Sequence, residues 1–374
     1  MVRFDGGTIK SVDDISILKE KNRQNSRFGI LLKKISSKIV LLLKSSWIYQ
    51  VLKKTPRLIA FNGKKLAYSD YYLVADANWD LSDSYFDFLK KLNSQGVHLS
   101  FICYDLIPLR YPQFCSPSFS KSFSDYLSKG VPLYEKVVCI SQTTSQDFQE
   151  AQLQGYVPKG KPQQLVTSFK LGSDLPSRKK TEEATNAQDA QERIRFLLNK
   201  SYLLVVGSLS PHKNAKAIVS AFNVIASQHP DLHLVFAGNR GWHVDTDQLI
   251  EAHDLYQKRI HILGSVTDGE LKSLYKGCFC LIQASFCEGF GLPVVEALYY
   301  RKPVLASNVE PLPEIGGEFC LYFEPSDYAQ LSEHLLTLLD SEAFYNAYLN
   351  KLESQYMPFS WKESAYQLLK IVLD

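Results

Sequence analysis

The residues whose types and spacing carry the most chemistry lie together at Glu288-Gly289-Phe290-Gly291-Leu292-Pro293-Val294-Val295-Glu296. Two glycines let the backbone approach a ligand closely. A helix opening at Leu292, with Pro293 set in its first turn, turns unpaired N–H groups and the positive end of its dipole toward those glycines. An anion suits that place, most simply a phosphate. Glu288 precedes the turn and Glu296 follows two helical turns later, so they cannot form one close carboxylate pair, and each needs its own polar partner. The competing reading is a helix start whose glycines only shape a turn.

Such a turn has to be held by a strand before it and a helix after it. The run Cys278 to Ser285 is apolar, β-rich and short enough for a buried strand, and Leu292 onward carries helix formers. The same alternation surrounds it. Strands are predicted at Tyr202 to Val206, His233 to Ala237, Arg259 to Leu263 and Pro303 to Ala306, with helices at Ala215 to Ser227, Thr246 to Tyr256 and Gly269 to Lys276. Earlier in the chain, strands fit DYYLVADANW (70 to 79), HLSFICYDL (98 to 106), Lys136 to Ser141 and Gln164 to Lys170, with helices around Tyr85 to Leu92 and Thr143 to Leu153. This pattern argues parallel sheets with helical crossovers, whose ligand groups gather beyond the C-terminal ends of the strands.

The segment EGFGLPVVEA, with its two glutamates separated by seven residues, resembles the donor-site signature of the retaining glycosyltransferases of family four. VVGSLSPHKN (205 to 214), FAGNRGW (236 to 242), ILGSVTDGEL (262 to 271) and SNVEPLPEIGG (307 to 317) follow the order of that family. The resemblance implies an α/β GT-B fold, two Rossmann-like domains with parallel sheets facing across a cleft. The expected division is an acceptor-side domain over 1–172, a polar linker over 173–200, a nucleotide-sugar domain over 201–357, and a C-terminal helix in 358–374 packing back toward the first domain. The family usually begins with a strand and a glycine-rich loop. MVRFDGG matches that poorly, so the first strand and loop are expected to be missing or replaced.

Sugar transfer from a nucleotide leaves negative charge on the terminal phosphate while positive charge develops at the sugar carbon, so electrostatic positioning supplies most of the help. Lys213 follows the first strand of the second half and can set an ammonium on the diphosphate beside the amides near Gly289 to Leu292. The resemblance implies that Glu296 accepts hydrogen bonds from ribose hydroxyls and that Glu288 faces the donor sugar. Gly289, Phe290, Gly291, Leu292 and Val266 complete the expected donor site. Many relatives carry an arginine where this chain has Ser208, which makes His212 or Arg240 the candidate to compensate. Many also have a histidine before the aspartate of the first domain's strand-end motif, where this chain has Tyr104-Asp105. Tyrosine can donate a hydrogen bond but does not switch charge near neutral pH. Asp105 reads either as a carbohydrate-orienting group or as a helix cap.

No metal or cofactor constellation is visible in the sequence. The eight histidines are scattered, and ADAN at 75 to 78 is too weak to stand for a DxD motif. Metal-independent transfer is expected, with a nucleotide-diphosphate sugar as donor. The foremost candidate is GDP-mannose, otherwise a UDP- or dTDP-sugar, because SPHKN, GNRGW and YDLIPLRYP resemble bacterial mannosyl- and rhamnosyltransferase-like sequences. The acceptor would be a saccharide or a lipid-linked saccharide of surface polysaccharide synthesis. The alternative is a non-catalytic scaffold or regulatory partner of another glycosyltransferase.

A chain of 374 residues suffices for two cores. The seven cysteines show no paired CxxC spacing, and most lie in apolar runs, which suits a reducing cytoplasm. There is no signal peptide and no apolar stretch of spanning length. The net charge of +3 conceals a basic segment, since residues 19–57 hold eleven Lys or Arg against one acid. Leu31, Leu32, Ile35, Ile39, Leu42 and Leu43 recur there at helical spacing, with Lys33, Lys34, Lys38 and Lys44 largely on other faces. Two readings stand: a core-facing helix of the first domain, or an in-plane helix on an anionic membrane surface. Interleaved aromatics and nucleic-acid motifs are lacking, so nucleic acid is not an expected partner.

Overall fold

A computed structural model describes residues 69–75, 79, 82–174, 193–197, 199–241 and 244–374, together with the short strands Phe4–Asp5, Thr8–Ile9 and Ile39–Leu42. The chain divides into one unit of residues 1–169 with 365–374, and a second of residues 170–364.

In the first unit, β1 (Phe4–Asp5) and β2 (Thr8–Ile9) form a separate antiparallel pair. The main sheet is parallel and runs in sequence order: β3 (Ile39–Leu42), β4 (Tyr71–Val74), β5 (His98–Cys103), β6 (Lys136–Cys139) and β7 (Leu165–Ser168). Helices α1 (Asp83–Ser94), α2 (Ile107–Arg110), α3 (Pro117–Gly130) and α4 (Gln142–Leu153) connect them. A parallel strand covered on both faces is apolar almost throughout. Accordingly His98 alone among the residues of β5 is not buried. An aromatic cluster fills the interior, with Trp79 edge-on to Phe123 and Tyr126, and Tyr126 sharing a 2.9 Å hydrogen bond with Tyr134.

The helical reading of residues 31 to 43 is overturned where it can be checked. Ile39–Leu42 is a strand registered on β4, Ile39 against Tyr71 and Leu42 against Val74. IVLL opens with two β-branched residues, and over four positions a buried parallel strand and one face of a helix give the same apolar run. Lys33, Lys34, Lys38 and Lys44 lie outside the described residues.

The second unit carries a six-stranded parallel sheet in the order β10–β9–β8–β11–β12–β13, comprising Ile260–Gly264, Leu232–Ala237, Ser201–Val206, Cys280–Gln283, Val304–Ser307 and Leu321–Phe323. Its helices are α5 (Ala215–Ile225), α6 (Val244–Glu251), α7 (Asp268–Gly277), α8 (Leu292–Tyr299), α9 (Leu312–Gly316), α10 (Tyr328–Asp340), α11 (Glu342–Gln355) and most of the first turn of α12 (Trp361–Leu373). The strand order reverses between β8 and β11, the topological switch point at which open α/β sheets bind ligands. Among the described strands the first unit's sheet has no such reversal.

The segment expected as a linker is anchored at both ends. The Ser173 amide donates to the Phe359 carbonyl at 2.8 Å, Asp174 Oδ1 accepts from the Trp361 amide at 2.6 Å, and Ile194 and Leu197 are buried. Residues 175–192 lie outside the described set. At the far end of the chain, Lys136 Nζ donates to the carbonyls of Ile371 and Val372, and Tyr71 Oη to that of Leu373, all within the first unit.

Candidate active site

Loops leave the C-terminal edge of the second sheet, and the two at the switch point meet. After β8 the chain turns through Gly207 (φ 128°) into the 3-10 turn Pro211–Lys213, and Asn214 adopts a left-handed conformation that starts α5. After β11 it passes through Ser285 and Glu288 to Gly291 (φ 96°), the cap of α8. The Phe286 amide donates to the His212 carbonyl at 2.8 Å and ties the loops together. A side chain at 291 is strained by the positive φ, and a Cβ there would lie 2.5 Å from Leu312 Cδ2, which would have to shift. At the neighbouring loop a Cβ on Gly238 would lie 1.9 Å from the Gly207 carbonyl oxygen, so the close approach of these strand ends requires glycine at 238.

This geometry brings Lys213 and Glu288 together. Nζ lies 2.5 Å from Oε1, with 18% and 9% of the two side chains exposed. The same oxygen accepts from Gln283 Nε2 at 2.5 Å and Ser285 Oγ at 2.6 Å. Gln283 Nε2 also donates to Ser285 Oγ at 3.0 Å, and Ser307 Oγ donates to the Ser285 carbonyl at 2.6 Å. Burial by itself would raise the Glu288 pKa, but the Lys213 charge and the hydrogen bonds from Lys213 and Ser285 outweigh it and hold the carboxyl below its ordinary value. The carboxylate is therefore ionised at neutral pH. A recess beside the pair is lined by Gly207, Ser208, Lys213, Gln283 and Ser285.

Glu296, on α8, is held separately. Tyr275 of α7, fully buried, donates to its Oε2 at 2.7 Å. Burial pushes the Glu296 pKa up to about 7, with the Asp268 charge adding and the tyrosine opposing. Val266 lies between β10 and α7, in a loop fixed by the Thr267/Glu270 capping box and by Arg193, which bonds Glu270 Oε1 at 2.9 Å and the Ser265 carbonyl at 2.7 Å.

The two residues expected to stand in for an arginine at 208 have different surroundings. Burial, with the Lys213 charge adding and Glu288 opposing, lowers the His212 pKa to about 4, so the ring is neutral at pH 7. Arg240 is engaged by Glu251. Ser208 itself shares a 2.9 Å hydrogen bond with Ser210. On the first unit, Asp105 Oδ1 accepts from the Ile107 amide at 3.0 Å, where α2 begins, and Tyr104 Oη donates to the Ala75 carbonyl at 2.6 Å. Asp105 thus meets the first amide of α2 from one residue before the N-cap, Leu106. Among the described residues no group of three or more His, Cys, Asp or Glu side chains is placed to hold a metal ion, and no helix is long and apolar enough to cross a membrane.

Comparison with known proteins places this site in a family. Residues 186–354, which contain Lys213, Val266, Glu288, the glycine turn and Glu296, match the family described as Glycosyl transferases group 1. Those residues form a group 1 glycosyltransferase domain. The chain is 29% identical over 289 residues to the serotype-specific mannosyltransferase WbdA of Escherichia coli, covering 75% of this chain and 34% of that protein. It is 31% identical over 177 residues to the O-antigen chain mannosyltransferase B of Escherichia coli, covering 46% of each. The chain thus spans about a third to a half of the length of these relatives. The crystal structure of Anabaena Alr3699/HepE in complex with UDP superimposes with a TM-score of 0.58 at 16% identity, over 87% of this chain and 80% of that one. The fold, with its two parallel sheets, is of the GT-B class.

Gln283, Ser285 and Tyr275, which hold the two glutamates of the glycosyltransferase domain, and Ser307, which holds Ser285, were missed by sequence reasoning. Gln283 had a visible signal, a lone amide closing the apolar strand CLIQ. Tyr275 had none, because its contact with Glu296 is made between two helices.

Proposed function

We propose that this protein is a retaining glycosyltransferase that moves a hexose, foremost mannose, from a nucleotide-diphosphate sugar to a saccharide or lipid-linked saccharide acceptor in surface polysaccharide synthesis. One observation carries the reading: at the switch point of the matched domain, a largely buried ammonium and carboxylate meet beside the start of α8. Burying an ion pair is a weak way to stabilise a fold, so its presence at a ligand-binding edge argues for a function. In this reading Lys213 moves onto the diphosphate, and the amides at the start of α8 share the charge that builds on the leaving phosphate. Glu288 orients the donor sugar and faces the positive charge developing at its anomeric carbon. Gly289, Phe290, Gly291, Leu292 and Val266 shape the donor pocket, and Glu296 accepts from the ribose hydroxyls. Asp105 contributes on the acceptor side.

The sugar and the acceptor rest on the names of the relatives, both mannosyltransferases. The cationic surplus of residues 19–57 suits an acceptor held at an anionic membrane surface, by charge rather than by the helix first read there. A thermal-shift panel of GDP-mannose, UDP-glucose, UDP-N-acetylglucosamine and dTDP-rhamnose tests the donor, since a ligand of the folded state alone raises its stability. GDP-mannose is expected to give the largest shift. No shift with any member would remove the donor site.

A further inference from the structure

We infer that Gln283 is a positioning residue for Glu288: its buried amide keeps the carboxylate in place and charged when Lys213 turns to the donor's diphosphate. The inference rests on the donor-site reading of Lys213 and Glu288 proposed above. Three donors converge on Glu288 Oε1, from Lys213, Gln283 and Ser285 at 2.5, 2.5 and 2.6 Å, but they are not equivalent. Lys213 ends a flexible stem and is partly exposed. Gln283 is 2% exposed on the sheet's own strand and uses both amide hydrogens, one on Glu288 and one on Ser285. Ser285 is fully buried, with its carbonyl held by Ser307. The neutral donors therefore belong to the frame, whereas the ammonium can leave.

Binding of a diphosphate forces the distinction. One ammonium cannot serve the carboxylate and the more highly charged diphosphate at full strength. When it shifts, a carboxylate that is 9% exposed loses its ion pair, and an unpaired buried charge is costly enough to take up a proton. Gln283 and Ser285 remain, and hydrogen bonds to the charged form favour that form. A carboxylate accepts only, so it also fixes which end of the Gln283 amide faces it. With Oε1 so occupied, Oε2 is the oxygen left for a donor hydroxyl.

The test uses the full chain labelled with 13C at glutamate carboxyls, the Glu288 signal being assigned by its loss in Glu288→Gln. In Gln283→Leu the Glu288 titration midpoint should rise by about one pH unit or more. The acid limb of turnover should move with it, and turnover at pH 6 should fall about tenfold while the donor KM stays within about threefold. Gln283→Glu keeps the shape and can donate only when protonated, so its turnover should decline as pH rises where the parent's is flat. An unchanged Glu288 midpoint in Gln283→Leu overturns the inference. If that variant does not fold, a Gln283→Glu profile parallel to the parent's overturns it instead. A parent that transfers no sugar from any donor refutes the proposed function, and the carboxyl titration still decides the role of Gln283.

Discussion

Glu296 makes the donor-free protein less stable as pH rises, and the size of the effect follows from its surroundings. Burial raises its pKa from 4.5 to about 7, with one hydrogen bond, from Tyr275, opposing the shift. A group whose pKa is raised on folding contributes stability below its unfolded value and loses it as pH rises through the folded one. The window therefore runs from about pH 4.5 to 7. Between pH 5 and pH 8 the linkage relation gives a loss on the order of 2–3 kcal/mol attributable to this group. Glu296→Gln keeps the shape and cannot ionise, so its unfolding free energy should lack that decline. The assay is urea unfolding of both proteins at half-unit steps across the interval, compared as a difference so that other titrating groups cancel. Tyr275→Phe removes the hydrogen bond that favours the charged form, so its loss of stability should reach to higher pH. Parallel pH profiles for parent and Glu296→Gln would show that Glu296 does not titrate across this interval.

Three further outcomes are expected. Lys213→Ala should lower kcat by about a hundredfold, the scale for losing one electrostatic contact to developing charge, whereas Glu296→Ala should act chiefly on donor KM; steady-state kinetics separates the two. Gly291→Ala should cost roughly 1–3 kcal/mol from the left-handed backbone, with more from the contact with Leu312, and should weaken donor binding, read by unfolding and by titration with donor. Transfer should survive dialysis against a strong chelator with no divalent ion restored, because Lys213 and the α8 amides are there to meet the phosphate charge; activity recovered only with magnesium or manganese would count against this.

The second unit was legible in the sequence because its strands are buried runs punctuated by glycine. VVGS, FAGN and ILGS each end a strand on a residue the backbone requires, which fixed the sheet edge and hence the neighbourhood of Lys213 and Glu288. The pairing of those two was not legible, since it depends on β8 lying next to β11, a matter of strand order and not of local pattern. α3 was passed over because SFSKSFSDYLSKG is rich in serine, although Ser116 caps it and Phe123, Tyr126 and Leu127 form its buried stripe. α11 was passed over for a related reason, as only Leu352 is buried along its length. The basic stretch misled because IVLL is too short for periodicity to separate strand from helix. His212 and Arg240 were opaque for other reasons: the charge of His212 depends on burial, and the Arg240 ion pair is made with Glu251 of α6, away from its own loop.

Retaining transfer at Glu288 is tested by following, with NMR, the product formed from GDP-mannose and a mannose-terminated lipid-linked acceptor, with the parent and Glu288→Gln run side by side. A new glycosidic linkage bearing the anomeric configuration of the donor sugar is expected, formed by the parent and reduced at least about a hundredfold in the variant, on the order expected for a group facing the developing charge. Inverted configuration, or equal rates from the two proteins, would contradict it.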